Sequence, residues 1–512
     1  MQITKYTFLV LIAIVFFGQS CTTTSSTSKT KGEISFTILQ LNDVYEIAPL
    51  EGGKVGGMAR VETFQKKLQA ENPNTITVHA GDFLSPSLIG TIKDNGKRIK
   101  GAQMVDVMNA MGFDYVTYGN HEFDLKPADF QSRMNESNFG WTSCNTFRAD
   151  TKEAFYREKD GKKEAVPEYA IHEVKNAAGD KMNIGIIGVT IPFNKAKYVH
   201  YEDVNESARK TYDKIKDQID IAIAITHLDR YQDSLLAVAM PEFKLLIGGH
   251  DHNNMEFNVG KVKITKADAN ARTVYVHRFK YNTSSKKSSF TSELVKIDDK
   301  IEDDPEVKKV VDKWLNKVDE IMSSGGYDAN EIICKTDKIL DGLEIHIREF
   351  PTELGYVTSE AMWAQDKTAD FAVINSGSVR VDDKLTGNIT QYDILRTFPF
   401  GGGITLIELD GKNTKKLLEI GLVKNIGVGG FLQTTRNVTS KDGKHMIDGK
   451  AIDDAKTYKI LLPDFVAQGK EQNLEFLGDN YTDVYLNSHK TFSTGVKNDI
   501  VDMVIAYLRT YK

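Results

Sequence analysis

The stretch "LLIGGHDH", residues 245–252, joins a short apolar run to two glycines and then to two imidazoles. The apolar run predicts a buried strand, and the glycine pair permits a tight turn at its end. His250 and His252 flank Asp251 directly after that turn. Since isolated histidines are often ordinary surface residues, the pair indicates a site only if other strands end in the same way.

Six apolar segments of the N-terminal half have the composition of strands and end in polar or glycine residues. They are "ISFTILQL" (34–41), "TITVHA" (75–80), "FDYVTYG" (113–119), "MNIGIIGV" (182–189), "DIAIAITH" (220–227) and "FKLLIGG" (243–249). Segments with helical spacing of apolar residues, at 58–69 and 102–112, alternate with these strands. This alternation predicts an α/β sandwich.

Acidic, amide and imidazole side chains follow five of these strands. They are Asp43, Asp82, Asn120, His121, Asp124, His227, His250 and His252. Because ligands of open α/β sheets bind beyond the carboxyl ends of the strands, we expect these side chains to converge. The glycines before Asp82, Asn120 and His250 are expected to let the backbone turn sharply. Such a mixture of ligands suits two divalent metal ions, which can share a carboxylate and clamp a phosphoryl group.

The order of these motifs, D…GD…GNHE…H…GHxH, resembles that of the calcineurin-like metallophosphoesterases. With a second region after residue 329, the whole of residues 34–512 resembles the 5′-nucleotidase family. The resemblance implies an N-terminal four-layer α/β/β/α metallophosphoesterase sandwich (33–302), a linker helix (303–328) and a smaller α+β nucleotide-binding domain (329–512). Within the linker, Asp303 or Asp304 can cap the helix, and Pro305 fits its first turn.

The resemblance also implies roles for the polar residues of the N-terminal domain. Asp82 would bridge two divalent ions, drawn from Zn, Mn, Co, Mg or Fe. The implied ligand groups are Asn120, His227 and His250 for one ion and Asp43 and His252 for the other. His121, oriented by Asp124, would stabilise charge in the transition state, and a metal-bound hydroxide would be the nucleophile.

Tyr45 departs from the family pattern, which commonly reads Asp-x-His at the first motif. A neutral phenol is a poor ligand, so one interpretation makes Tyr45 a packing residue or a hydrogen-bond partner of a ligand carboxylate. The other interpretation makes Tyr45 a direct ligand that changes the metal preference. His252 stands where several nucleotidases carry an amide, and its imidazole could offset the change at Tyr45.

Segments of the C-terminal half resemble the substrate-binding motifs of the same family. "NSGSVR" (375–380) resembles NGGGIR, "TFPFGGG" (397–403) resembles the PFG motif, and "REFPTELG" (348–355) and "LPDFVAQGKE" (462–471) resemble two further segments. The implied substrate residues are Arg348, Asn375, Arg380, Phe400, Phe465 and Glu471. The two phenylalanines would stack on a base, the arginines would bind phosphate or ribose oxygens, and Glu471 would bind ribose hydroxyls.

The first 32 residues have the pattern of an export signal. Lys5 and an apolar run at 8–17 predict a signal peptide over 1–20, followed by Cys21 at the position of a lipidated cysteine and a flexible tether to residue 32. Such a lipid anchor would bring the chain into contact with a membrane surface of the cell envelope. Plain secretion and an uncleaved anchor are the alternatives. Cys144 and Cys334 lie far apart in sequence, which favours two separate buried thiols.

The function predicted from these patterns is hydrolysis of nucleoside 5′-phosphates by a dimetal enzyme. The net charge of −6 offers no electrostatic basis for binding duplex nucleic acid. One alternative is a phosphomonoesterase or cyclic-nucleotide phosphodiesterase with another substrate. A second alternative, from a different class, is an envelope binding protein with a decayed metal site.

Overall fold

The computed structural model describes residues 32–193, 196–441, 443–480 and 491–511. The predicted signal peptide (1–20), Cys21 and the tether up to residue 31 lie outside the described residues, so their assignment stays a prediction. Among the described residues, none of the helices combines the length and the apolar character needed to cross a membrane.

Two six-stranded sheets form the centre of the N-terminal domain. In spatial order the first contains Lys287–Lys296, Thr273–Asn282, Glu33–Leu41, Thr75–His79, Tyr115–Val116 and Gly140–Trp141. The second contains Tyr169–Lys175, Lys181–Thr190, Ile221–His227, Phe243–Gly248, Val262–Lys266 and Met255–Val259. In both sheets the strands that precede the predicted site residues pair in parallel, so their carboxyl ends lie at one edge.

The two sheets pack face to face, and helices cover their outer faces. Ile38 and Val78 of the first sheet share a buried cluster with Ile225 and Ile247 of the second. The longer helices of this domain are Met58–Glu71, Ala102–Met111, Pro127–Glu136, Val204–Ile215, Arg230–Ala239 and Pro305–Ser324. Each outer face buries a further apolar cluster against these helices. The four-layer α/β/β/α sandwich predicted from the sequence is therefore confirmed.

The strand predicted over residues 113–119 is shorter than expected. Only Tyr115–Val116 pairs with its neighbours as a strand. The N–H of Thr117 still donates to the carbonyl of His79 at 3.2 Å, but the N–H of Gly119 donates to the carboxylate of Glu122 at 2.6 Å. A side chain has thus replaced the neighbouring strand as hydrogen-bond partner at this end of the sheet.

The helix predicted between the domains covers Pro305–Ser324, and the carboxylate of Asp304 caps it by accepting from two backbone N–H groups. Val307, Val311 and Val318 bury one face of the helix in the core of the N-terminal domain. The helix therefore belongs to the outer layer of the sandwich as well as joining the two domains.

The C-terminal domain is a smaller mixed α+β unit. Its main sheet contains, in order, Ile404–Asp410, Thr457–Pro463, Phe371–Asn375 and Leu432–Thr434, and a two-stranded sheet pairs Ile332–Asp341 with Lys384–Thr390. Its longer helices are Glu353–Trp363, Gln391–Thr397, Gly411–Glu419 and Ile500–Leu508. Two buried apolar clusters hold these elements together.

Cys144 and Cys334 are free and buried, as the sequence predicts. Cys144 packs in the core of the N-terminal domain and Cys334 in that of the C-terminal domain. Burial raises the pKa of the Cys144 thiol to about 12, so this group stays protonated at neutral pH.

Candidate metal centre

The predicted ligands meet at the carboxyl-end edge of the two sheets. Asp82, His227 and His250 place one donor atom each within 4.8 Å of one another. The side-chain oxygen of Asn120 lies 3.2 Å from Nε2 of His227 and 3.0 Å from Nδ1 of His250. Nε2 of His227 also lies 3.2 Å from Oδ2 of Asp82. Residues from four separate strand ends therefore surround one point, as the sequence predicts.

These donor atoms suit a metal ion. Nδ1 of His227 lies 2.7 Å from the carbonyl oxygen of Ala80, which only accepts, so the opposite nitrogen faces the acceptor oxygens of Asp82 and Asn120. The amide nitrogen of Asn120 has no hydrogen-bond partner among the described residues. Converging acceptors need a positive charge between them, which a proton or a divalent cation can supply.

The pKa values of the two histidines show the same need for a positive charge in the cluster. Burial disfavours a charged imidazole at His227, but the carboxylate of Asp82 outweighs this and raises its pKa to about 9. Burial and the charge of His227 lower the pKa of His250 to about 3. A neutral His250 is already in the form that binds metal ions.

Three of the predicted ligands have a left-handed backbone conformation, which residues other than glycine rarely adopt. Asp43, Asp82 and His250 have φ values of 51°, 61° and 75°. Each such residue costs on the order of 1–3 kcal/mol and persists only where its surroundings require it. At Asp43 the requirement is visible, because its carboxylate accepts from the backbone N–H of His250 at 2.9 Å.

The glycines that precede the ligands serve two different local needs. Gly81 alone has a positive φ, of 81°. A Cβ on Gly119 would lie 2.1 Å from Oδ1 of Asp82, and one on Gly249 would lie 2.4 Å from the carbonyl oxygen of Ala80. Gly119 and Gly249 are needed because neighbouring groups approach the backbone closely.

Glu122 is a site residue that the sequence interpretation missed. Its buried carboxylate accepts from four backbone N–H groups, those of Asp82, Phe83, Leu84 and Gly119, at 2.6–3.1 Å. The carboxylate thereby ties the loop of Asp82 to the loop of Asn120. The available signal was the glutamate of "GNHE", two residues after the predicted ligand Asn120. A buried acid must be paired or hydrogen-bonded, so an acid this close to a buried site needs a partner.

His121 and Asp124 form the predicted pair. Nδ1 of His121 lies 2.7 Å from Oδ2 of Asp124, and both residues belong to one turn of 3₁₀ helix, His121–Asp124. The backbone N–H of His121 donates to Oδ1 of Asp82 at 2.7 Å. Burial opposes a charged imidazole, but the carboxylates of Asp82 and Asp124 raise the pKa of His121 above its usual value.

Tyr45 lies inside the site and bonds to two predicted ligands. Its hydroxyl donates to Oδ2 of Asp82 at 3.2 Å and lies 3.1 Å from Nε2 of His252. Burial and the nearby carboxylates raise the pKa of Tyr45 well above 10, so the phenol is neutral. This geometry matches the interpretation of Tyr45 as a hydrogen-bond partner of a ligand carboxylate. His252 lies beside it, with Nε2 3.7 Å from Oδ1 of Asp43.

The predicted substrate residues lie on loops, short helices and the end of one strand of the C-terminal domain. The two phenylalanines are exposed, Phe400 by 62% and Phe465 by 49%. The amide of Asn375 donates to Glu471 at 2.6 Å, and its oxygen accepts from the hydroxyl of Ser378. Other members of the predicted set also lie here: Arg348 follows the helix Glu344–Ile347, and Arg380 follows the 3₁₀ turn Ser376–Ser378.

Comparison with known protein families places both halves of the chain. The calcineurin-like phosphoesterase family matches residues 36–254, and the 5′-nucleotidase C-terminal domain family matches residues 334–478. The chain joins a calcineurin-like phosphoesterase domain to a 5′-nucleotidase C-terminal domain. It is a metal-dependent phosphoester hydrolase. The predicted resemblance is thus confirmed in both domains.

Individual relatives extend over nearly the whole chain at low identity. The trifunctional nucleotide phosphoesterase YfkN of Bacillus subtilis is 26% identical over 504 residues, which are 87% of this chain and only 32% of that protein. The 5′-nucleotidase of Homo sapiens is 24% identical over 506 residues, 86% of this chain and 84% of that protein. The crystal structure of the 5′-nucleotidase precursor from Thermus thermophilus has a TM-score of 0.72 at 20% identity and covers 93% of this chain and 97% of its own. The two-domain phosphoesterase shares the fold of that structure.

Proposed function

We propose that this phosphoesterase is a 5′-nucleotidase that uses two divalent metal ions to release phosphate from nucleoside 5′-monophosphates. The observation that carries the proposal is a contact between the domains. Oε1 of Glu344 pairs with Arg348 at 2.6 Å, while its Oε2 lies 3.8 Å from Nδ1 of His252. A predicted substrate arginine and a predicted metal ligand are therefore separated by one carboxylate.

The geometry of the N-terminal site supports the following roles for its residues. Asp82 would bridge the ions, Asn120, His227 and His250 would hold one of them, and Asp43 and His252 would hold the other. Bound divalent ions supply Lewis acidity and an activated water for attack on phosphorus.

His121 would act on the substrate itself. Its raised pKa favours an imidazolium, which donates a hydrogen bond to a phosphoryl oxygen as negative charge develops there. Asp124 holds this ring through its Nδ1, so that Nε2 is directed to the substrate.

The C-terminal domain would supply recognition of the nucleoside. Two exposed phenylalanines offer faces on which a base can stack, a contact worth about 1–3 kcal/mol per base. Arg348 and Arg380 would bind phosphate oxygens, and Asn375 and Glu471 would exchange their mutual hydrogen bond for contacts with the base and the ribose. The relatives, which include several 5′-nucleotidases, support this substrate class.

A substrate and metal panel tests the proposal. The full chain, loaded in turn with Zn²⁺, Mn²⁺, Co²⁺ or Mg²⁺, is assayed on AMP, other nucleoside monophosphates, sugar phosphates, p-nitrophenyl phosphate and 2′,3′-cyclic AMP. The expected result is a kcat/KM for nucleoside monophosphates well above that for the other substrates.

Each alternative has its own outcome in this panel. Equal turnover of sugar phosphates and AMP would indicate a general phosphomonoesterase, and preferred hydrolysis of the cyclic nucleotide a phosphodiesterase. Protein that stays metal-free and inactive under every condition would indicate a binding protein with a decayed site.

We also propose that the chain is exported and held at the cell envelope by a lipid on Cys21. The pattern of residues 1–32 supports this location. Radiolabelled palmitate should label the wild-type chain in cells, and Cys21→Ser should abolish the label and release the protein from the membrane fraction. Unchanged fractionation of Cys21→Ser would contradict the proposal.

A further inference from the structure

His252 is contacted by two acidic residues of the other domain. Its Nδ1 lies 3.1 Å from Oδ2 of Asp382 and 3.8 Å from Oε2 of Glu344. Its Nε2 faces the metal centre, where the Tyr45 hydroxyl and Oδ1 of Asp43 lie at 3.1 and 3.7 Å. The imidazole therefore bridges a carboxylate of the C-terminal domain and the site of the N-terminal domain.

Asp382 is held firmly in the orientation that makes this contact. Its side chain is mostly buried, its φ is 40°, and its Oδ1 accepts from the backbone N–H of Glu344 at 2.9 Å. The next residue, Asp383, is fully buried and pairs with Arg272 of the N-terminal domain at 2.8 Å and with Arg396 at 2.5 Å. An ion pair across the domain boundary thus fixes the segment that presents Asp382 to His252.

We propose that Asp382 is a positioning residue for the metal ligand His252, so that one of the two metal sites is completed across the domain boundary. The inference rests on the proposed two-ion function. A carboxylate accepts only, so with a metal ion bound Asp382 would keep the remaining proton of His252 on Nδ1 and leave Nε2, on the side of Asp43, as the ligand nitrogen. Partners of this kind orient ligands in metal sites, and their loss typically costs 10- to 100-fold in metal affinity.

His227 also has a hydrogen-bond acceptor at its Nδ1, but this acceptor lies in its own domain. Its Nδ1 donates to the carbonyl of Ala80, which belongs to its own domain. An ion held by Asn120, His227 and His250 would therefore have its orienting partner inside the N-terminal domain, whereas an ion held by Asp43 and His252 would depend on the C-terminal domain. Movement of the C-terminal domain changes the affinity for the second ion alone, and binding of that ion favours the domain arrangement seen here by the same factor.

The test measures the binding of each ion to the full chain, separately from activity. Metal-free protein is titrated with Co²⁺, and the visible absorption of the bound ions, together with the metal content by mass spectrometry, gives the number and affinity of the sites. The variants are Asp382→Ala, Asp382→Asn and His252→Gln, with the double variant Asp382→Ala/His252→Gln. Asp341→Asn is the matched control, because Asp341 also pairs with a histidine, His346 at 2.8 Å, within the C-terminal domain.

In the wild-type chain we expect two ions. Asp382→Ala should weaken one of them by about 10- to 100-fold and leave the other unchanged. Asp382→Asn should recover part of this loss, because its amide oxygen still accepts from Nδ1. In the His252→Gln background Asp382→Ala should have no further effect, and Asp341→Asn should bind both ions as the wild type does.

Several results would overturn the inference. Both ions binding to Asp382→Ala with wild-type affinity would show that the contact does not position His252. Equal weakening of both ions, or an additive loss in the double variant, would show a general structural effect. A wild-type chain that binds fewer than two ions would instead refute the two-ion proposal, and the inference with it. This outcome is recognised before any variant is compared.

Discussion

The metal centre and the nucleotide-recognition region differ in how far they are assembled without a ligand. At the metal centre, Asp82, Asn120 and His227 are buried, and an oxygen of Asp82 and an oxygen of Asn120 each lie 3.2 Å from Nε2 of His227. In the recognition region, Phe400 and Phe465 are exposed, and Asn375 is bonded to Glu471. The first region has its donor atoms in place, whereas the second has its polar groups paired with each other.

The difference follows from what each region has to bind. A small ion of high charge requires several atoms at fixed distances, and a rigid surround lowers the cost of binding it. A planar base gains mainly from contact area, so open aromatic faces suffice. Substitutions at the metal centre should therefore affect catalysis or the fold, and substitutions in the recognition region should affect affinity.

The largest expected effect is at His121. His121→Ala removes the imidazole and keeps the backbone N–H that donates to Asp82, so both ions should remain bound. Loss of the proton donor should lower kcat on AMP by about 10²–10⁴-fold. His172→Ala, at an edge strand of the second sheet, is the control and should leave kcat unchanged. A metal content that falls together with kcat would assign His121 to metal binding instead.

The next effect is expected at the exposed aromatic side chains. Phe400→Ala and Phe465→Ala should each raise KM for AMP by about 5- to 150-fold, as a loss of about 1–3 kcal/mol of stacking predicts. Hydrolysis of a sugar phosphate should be unchanged, because that substrate carries no ring that can stack. Tyr231→Ala removes another exposed aromatic ring, on the helix Arg230–Ala239, and should alter neither substrate. An equal loss on both substrates would place the phenylalanines in the chemical step.

A substitution at Glu122 tests whether the four backbone hydrogen bonds to its carboxylate hold the loops of the metal centre rigidly in place. Glu122→Gln leaves some of four buried N–H donors without an acceptor, because an amide has only one oxygen. The free energy of unfolding should fall by about 1–3 kcal/mol, measured by urea denaturation of the metal-free chain. Glu306→Gln, an exposed residue of the helix Pro305–Ser324, is the control. Unchanged stability of Glu122→Gln would show that the loops are held by other contacts.

The smallest expected effect is a pH dependence in the recognition region. Burial raises the pKa of Glu471 above its usual value, so its charge is lost at a higher pH than for an ordinary glutamate. As pH falls, the ribose contact should weaken and KM for AMP should rise by roughly 5-fold, about 1 kcal/mol for one hydrogen bond.

Two comparisons isolate this effect from other titrating groups. KM for 2′,3′-dideoxy-AMP, which has no ribose hydroxyls, should not show the rise in acid. Glu471→Gln should flatten the pH profile of KM for AMP. The same profile for both nucleotides would exclude a ribose contact by Glu471.

Local patterns in the sequence were enough to predict most of the fold. The apolar run of Phe243–Gly248 and the alternation with helices such as Met58–Glu71 predicted both elements within a few residues. The strand at 113–119 was overestimated, since nothing local shows that the backbone of Gly119 bonds to the carboxylate of Glu122. The metal centre was predictable because each ligand follows a strand end, and strand ends of parallel sheets meet.

The sequence by itself determined which residues gather at the metal centre, because that information lies in short motifs with fixed spacing to their strands. "LLIGGHDH" placed His250 and His252 there. Only the tertiary structure decided what surrounds them: the carboxylate of Asp382, 130 residues away along the chain, lies 3.1 Å from His252. A contact across a domain boundary depends on how two separately folded surfaces meet, and no local pattern of residues encodes that distance.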